Sequence, residues 1–180
     1  MDKQRGINLV EAAVTLAVLG VLVGMAAPDM ADMVHAQRLG KVTNDVLQQL
    51  HLARSEAIKR NTRVALCKSA DGIACSETGN WDRGWILFED ANNSGTREAR
   101  EPLLERLQPV PPGYRLSANA PLSRYVSYSP FGQARLTSNA FQAGTFTVCR
   151  ASPQPAEGRQ IVINAGGRPR VQKVQLAECP

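Results

Sequence analysis

Residues 3–20 read KQRGINLVEAAVTLAVLG: a basic tip, one glycine, and an apolar run that carries a single carboxylate, Glu11. From Ile7 to Ala27 Glu11 is the only charge, and a helix of that length reaches about 30 Å, the thickness of a bilayer's hydrocarbon core. Lys3 and Arg5 precede it, so the positive-inside rule predicts a cytoplasmic N-terminus and places the chain after Pro28 on the other side. A charge at the bilayer centre costs about 2.5–3.5 kcal/mol. Either the run is not a plain anchor, or Glu11 has a task. A removed Sec signal is the competing reading, with Gly24, Ala26 and Ala27 near a cleavage position. Glu11 would interrupt its hydrophobic region, and the helical pattern does not stop where cleavage would occur. A retained anchor fits better.

Working outward, residues beyond Pro28 keep a helical pattern. Leu39, Val42, Val46, Leu50, Ala53 and Ala57 recur at three- and four-residue steps and form one apolar stripe. Arg38, Lys41, Asp45, Arg54 and Lys59 fall largely off it, and His35 and His51, in the same helical stretch, read as surface residues and not as ligands. The spacing predicts one long helix from about residue 8 to about residue 60, apolar all round and then amphipathic, with a kink at Pro28, where a backbone donor is missing.

After Asn61 the texture changes. VALCKS, GWILFED, PLLERL, YRLSA, RYVSYS, GTFTVCR, RQIVIN and PRVQKVQL read as strands, and PVPPG, SPFG, SPQP and NAGG as turns. In GTFTVCR, Phe146 and Val148 alternate with Thr145 and Thr147, the pattern of a half-buried antiparallel strand. The fold class is α+β, a long helix packed on an antiparallel sheet. Four cysteines in a small exported domain point to disulfides. Sequence order suggests Cys67 with Cys75 and Cys149 with Cys179, although four cysteines allow three connectivities. Their spacing, with no histidine nearby, is poor for zinc, and no metal or cofactor is expected.

Charge is uneven. Residues 7–105 hold 10 basic and 13 acidic side chains, whereas residues 106–180 hold 9 basic and 2 acidic. Within the basic half, GRQIVINAGGRPRVQK contains Arg159, Arg168, Arg170 and Lys173 and no acid. Alternation along the segment after the two glycines sends Arg168 and Arg170 to one side of the backbone, with Lys173 nearby. Such a cluster suits phosphate contacts. The competing readings are a solvated basic strand and an intersubunit ion-pair surface. Tyr114, Tyr125, Tyr128 and Phe131 are candidates for base stacking, but packing in the core or in turns is the better expectation for them.

Residues 90–101, DANNSGTREARE, superpose on a calcium-loop pattern at Asp90, Asn92, Ser94, Gly95 and Glu101. Arg97 occupies an aliphatic position and the flank is strand-like, so a hairpin turn is expected. No nucleophile elbow, phosphate loop or paired His/Cys site is present, and Ser55 and Glu56 read as helix surface. No enzymatic activity is expected of such a chain.

A basic leader ending at Gly6, an apolar helix from Ile7 and a glutamate at the fifth position of that helix resemble the class III signal of type IV pilins and type II secretion pseudopilins. LHLARSEAIKRNTRVALCKS, GNWDRGWILFEDANNSG, GTFTVCR and IVINAGGRPRV narrow the resemblance to the GspH/FimT/FimU minor pilins and pseudopilins. It implies the type IV pilin fold and four segments: a leader (1–6), a transmembrane and filament-core half-helix (7–28), an amphipathic half-helix (29–60) and a periplasmic β domain (61–180). It further implies a prepilin peptidase that cuts after Gly6 and methylates Ile7, although phenylalanine is usual at that position. Storage in the inner-membrane bilayer follows, then assembly with other minor pilins or pseudopilins on an inner-membrane platform. In the packed filament Glu11 would meet the free amine of a neighbouring subunit's first residue and set the axial register. The macrodipole at the helix N-terminus would stabilise the same charge.

The FimT branch carries a GR-x-R motif and binds DNA during natural transformation. The match here is Gly167, Arg168 and Arg170, so double-stranded DNA is one implied partner. Three functions stand open: a minor pilin that primes or caps a type IV pilus, a GspH-type pseudopilin of protein secretion, and a membrane-anchored DNA receptor outside any filament.

Overall fold

The structure is a computed structural model that describes residues 8–152 and 154–180, with the side chains of residues 25–29, 31 and 32 excepted. It contains one long helix, α1 (Leu9–Arg60), and eight strands: β1 (Val64–Lys68), β2 (Trp85–Glu89), β3 (Leu103–Leu107), β4 (Tyr114–Ala118), β5 (Tyr125–Tyr128), β6 (Gly144–Arg150), β7 (Ala156–Ile163) and β8 (Pro169–Leu176). Each strand overlaps one of the eight segments predicted above, β7 starting three residues before RQIVIN. The helix is assigned without a break at Pro28.

The chain divides into two compact units, one up to Arg38 and one from Leu39 to Pro180. In the first, the described side chains from Leu9 to Gly24 are apolar apart from Glu11 and Thr15, and nearly all lie open. Among the described residues no helix is long and apolar enough to cross a membrane. Leu9–Gly24 alone is shorter than the about 20 residues a span needs. The remainder of the span expected over 7–28 lies outside the described side chains.

The second unit is a helix segment on two antiparallel sheets, where one sheet was expected. The first has strand order β3-β2-β1-β5 and the second β4-β6-β7-β8. The six residues of the predicted helical stripe, from Leu39 to Ala57, are all buried. They share a core with Val64, Leu66, Trp85 and Leu87 of the first sheet and with Leu116, Phe146, Val148, Ile161 and Ile163 of the second. Trp81 ties this core together, edge-on to Phe146 with ring centroids 5.1 Å apart, its indole N–H donating to the Leu122 carbonyl at 3.0 Å.

β1 is buried along its whole length, and β2 along all but its last residue, because the first sheet is covered on both faces. Ala65, Cys67, Ile86 and Phe88 point away from the helix into a smaller cluster with Cys75, Leu103 and Tyr125. The Cys67–Cys75 disulfide staples the loop after β1 onto that back face, and the Arg97 guanidinium donates to the Ile73 carbonyl at 3.0 Å to hold the next loop there. The second disulfide, Cys149–Cys179, fastens the C-terminal tail to β6. These are the pairs that sequence order suggests. The architecture is the one the resemblance implies, an N-terminal helix on an antiparallel β domain.

The outer edge of β5 is closed by its own continuation. Residues 129–142 fold back so that Arg135 N–H donates to the Ser127 carbonyl at 2.9 Å. The fully buried Gln142 amide accepts from Ser127 N–H at 2.9 Å and donates to the Tyr125 carbonyl at 2.8 Å. An edge strand left bare would offer unpaired backbone groups to other chains. Here a loop occupies them, and this loop reaches the candidate site.

Candidate nucleic-acid interface

The basic C-terminal segment is an antiparallel hairpin of β7 and β8, the outermost pair of the second sheet. The turn is built by Asn164. Its carbonyl accepts from Gly167 N–H at 2.8 Å and its side-chain oxygen from Arg168 N–H at 3.1 Å. Gly167 has φ +73°, and a Cβ there would lie 2.7 Å from the Gly132 carbonyl oxygen and 2.8 Å from the Ala134 nitrogen. Those are backbone atoms and cannot yield, so only glycine fits where the hairpin tip meets the loop after β5.

Register sorts the four basic residues. Arg170 stands opposite Val162, while Lys173 stands opposite Arg159. In a strand, residues three apart face opposite ways. Lys173 therefore shares a face with Arg159 and not with Arg170, which corrects the single cluster read from the sequence. The segment itself holds no acid, but its neighbour in sequence supplies one. Glu157, one residue outside the quoted stretch, lies 3.9 Å from Arg159 and 3.8 Å from Lys173. Arg168 and Arg170 are exposed, and among the described residues their guanidinium groups have no hydrogen-bond or ion-pair partner. The hairpin thus carries one compensated basic pair and one uncompensated pair.

A third arginine, from a distant part of the sequence, belongs to this neighbourhood. Gly132 has φ +71°, and a Cβ there would lie 2.9 Å from Arg54 Nε and 2.9 Å from Ile58 Cδ1. The end of α1, the loop tip at Gly132 and the Gly167 turn are therefore in successive contact. Arg54 is near enough to buried Tyr128 to act on its phenol, which burial pushes up and the arginine pulls back down. The sequence signal for this junction was the glycine in each of two predicted turns, SPFG and NAGG, but nothing in the sequence brings the two turns together.

The aromatic expectations separate. Tyr114 and Tyr128 are buried and Tyr125 half-buried, its hydroxyl accepting from Thr137 N–H at 2.9 Å. Phe131 departs from them, with 85% of its surface open at the tip of the 129–132 turn. It borders a shallow depression with Pro130, Gln133, Arg63, Arg135 and Asn139.

The loop from Asp90 to Glu101 links β2 to β3, which pair antiparallel. Its oxygens face its own backbone: the Asp90 carboxylate accepts from Ser94 N–H at 2.8 Å and Gly95 N–H at 3.1 Å, and Glu101 accepts from Glu98 N–H at 2.9 Å. Burial pushes the Asp90 carboxyl up, against the pull of those N–H groups and Arg63. Gly6 and Ile7 lie outside the described residues. Glu11 is exposed and has no hydrogen-bond or ion-pair partner among the described residues.

Comparison with known proteins bears on the family and the fold. Residues 42–167 match the family described as type II transport protein GspH, a stretch that ends just before Arg168. The pilin-like protein PilA1 of Thermus thermophilus is 33% identical over 89 residues, 49% of this chain, and the chain spans about half the length of that relative (50%). Two crystal structures of the type IV minor pilin FimU of Pseudomonas aeruginosa PAO1 superpose with TM-scores of 0.58 and 0.51 at 17% and 16% identity. They cover 82% and 78% of this chain and 99% of each of theirs, a likeness of fold. With the family match running through most of the β domain and the fold in agreement, the chain belongs to the GspH family of pilins and pseudopilins.

Proposed function

We propose that this chain is a minor pilin that primes or caps a type IV pilus and captures DNA on the Arg168–Arg170 face of its C-terminal hairpin. In this reading a prepilin peptidase cuts after Gly6 and methylates Ile7. Residues 7–28 hold the subunit in the inner membrane, N-terminus cytoplasmic and β domain periplasmic, until the assembly platform transfers it to the filament alongside other minor pilins. Glu11 then pairs with the first-residue amine of a neighbour and selects the register, because an unpaired carboxylate in a packed helical core is heavily penalised. The observation that carries the DNA reading is the uncompensated pair, two exposed arginines at the start of β8, next to the turn where Gly167 is seated against Gly132. Phosphate contacts of this kind are indifferent to sequence and weaken steeply with salt.

The test uses the full-length chain in nonionic detergent with labelled duplex DNA. Wild type binds without sequence preference, and Arg168→Ala with Arg170→Ala removes most of the affinity. The double variant also lowers the slope of log K against log salt by about 2, one unit for each arginine that no longer neutralises a phosphate. Unchanged binding by the double variant overturns the DNA reading. A second reading, a pseudopilin serving protein secretion, is favoured by the description of the matched family. Deleting the gene separates them: loss of pili and of transformation supports the first, and exoproteins trapped in the periplasm support the second. A DNA receptor that never enters a filament would keep its uptake activity when Glu11→Ala blocks assembly.

A further inference from the structure

We propose that Phe131 is a stacking platform for an unpaired nucleobase, so that this face holds single-stranded DNA more tightly than its phosphate contacts alone would allow. The inference rests on the reading that Arg168 and Arg170 hold phosphates, and it adds a substrate form that the arginines cannot select. Phosphates are common to one strand and two. A base face is available only when a strand is unpaired.

An exposed phenylalanine is by itself unremarkable on a protein surface. Three observations set this one apart. The first is its fixed place. Phe131 sits in a closed turn, with Gly132 N–H donating to the Ser129 carbonyl at 2.8 Å, and the Gly132 carbonyl is the atom against which Gly167 is seated. The ring is thus two residues and one backbone contact from Arg168.

The second is its cationic surround. Arg54 touches the same turn through Gly132, and Arg63 and Arg135 line the depression beside the ring. Arg135 is already organised, donating to the Asn139 carbonyl at 2.8 Å and the Gln133 side chain at 2.7 Å while its guanidinium lies 4.1 Å over the Phe141 ring. None of Arg54, Arg63 and Arg135 forms a salt bridge among the described residues.

The third is the charge of the surrounding chain, which holds no Asp or Glu between Glu105 and Glu157. An aromatic face beside arginines, on a chain segment that holds no carboxylate, matches a base with its flanking phosphates; the Asp90 carboxylate that acts on Arg63 is buried and accepts from its own loop's N–H groups. An acidic peptide would satisfy the arginines but leave the ring without a partner. Sequence-tolerant single-strand binders combine these two elements, a cationic track and an aromatic face.

The experiment compares an oligothymidylate, a strand of equal length made of abasic sites, and a duplex, each titrated against the full-length chain in detergent at one salt concentration. The abasic strand keeps the phosphates and removes the bases. Wild type should bind oligothymidylate at least about five-fold tighter than the abasic strand, the effect of one stacked base. Phe131→Ala should abolish that difference while changing duplex affinity by less than about two-fold, as expected of an exposed site. Phe131→Tyr should restore it.

Equal binding of the two single strands by wild type overturns the proposal, as does a difference that survives in Phe131→Ala. Binding to anionic vesicles that depends on Phe131, without any preference for bases, also overturns it and assigns the ring to lipid. Failure of the underlying reading looks different: the Arg168→Ala/Arg170→Ala variant would bind duplex and abasic strand as wild type does, whatever Phe131 contributes.

Discussion

The two ends of α1 have the same backbone conformation and opposite surroundings. Near its start Leu9 is 84% exposed and Val21 63%, although both are as apolar as anything in the core. Near its end Leu50, Ala53 and Ala57 are 0% exposed beneath two sheets. Helical geometry is satisfied locally in both, since each N–H finds its carbonyl four residues back. What differs is whether this chain supplies a cover for the apolar face. The stripe from Leu39 has its partner in the same polypeptide. The run from Leu9 has none among the described residues; in the proposed reading lipid or other helices supply it, and Glu11 lies in that half.

Breaking this contrast is the most direct way to test it. The largest effect is expected at Glu11. Removal of one partner from a buried ion pair costs about 3–5 kcal/mol, so Glu11→Ala should leave leader cleavage intact and sharply reduce incorporation into filaments. Immunoblots of sheared filaments and of membranes measure both, and normal incorporation would end the register argument. In the covered half, Leu50→Ala should lower unfolding stability by about 2–5 kcal/mol through the cavity it leaves. The same truncation at Leu16, exposed in the first unit, should fall within about 0.5 kcal/mol when denaturant unfolding of the β domain is followed by tryptophan fluorescence. Comparable losses at both sites would erase the distinction. Gly167→Ala ranks below Leu50→Ala and above the Leu16 truncation, expected to destabilise by about 1–3 kcal/mol, because a left-handed alanine is strained and its methyl meets backbone. A DNA titration of that variant would sharpen the site, since displacement of the turn moves Arg168 while leaving its charge.

Much of the architecture was legible because it rests on periodicity. The step from Leu39 to Ala57 names the buried helical face, and the eight apolar runs between turn residues name the strands. The division into two sheets was not legible. Val64 and Ala65 are both apolar, yet one joins the helix-facing core and the other the cluster behind the sheet. A strand covered on both faces has no alternation to read. In the candidate site, position along the chain misled in a specific way. Arg170 and Lys173 are close in sequence but face apart, and Glu157, just outside the motif, compensates the pair that strand register brings to it. Phe131 looked like packing material because its composition is that of a core residue, whereas the SPFG turn holds it out.

By itself the sequence determined the helix, its apolar first half and stripe, the eight strands, the turns, the positive C-terminal half and the resemblance to pilins. All of these follow from local spacing and from residue chemistry that does not depend on the rest of the chain. Only the tertiary structure decided which strands share a sheet, which charges are answered, and that Arg54, Phe131 and Arg168 come to one corner of the β domain. That corner depends on two glycines, Gly132 and Gly167, in left-handed turns pressed backbone to backbone. Contacts between segments so far apart in the chain arise from packing, and no local pattern encodes them.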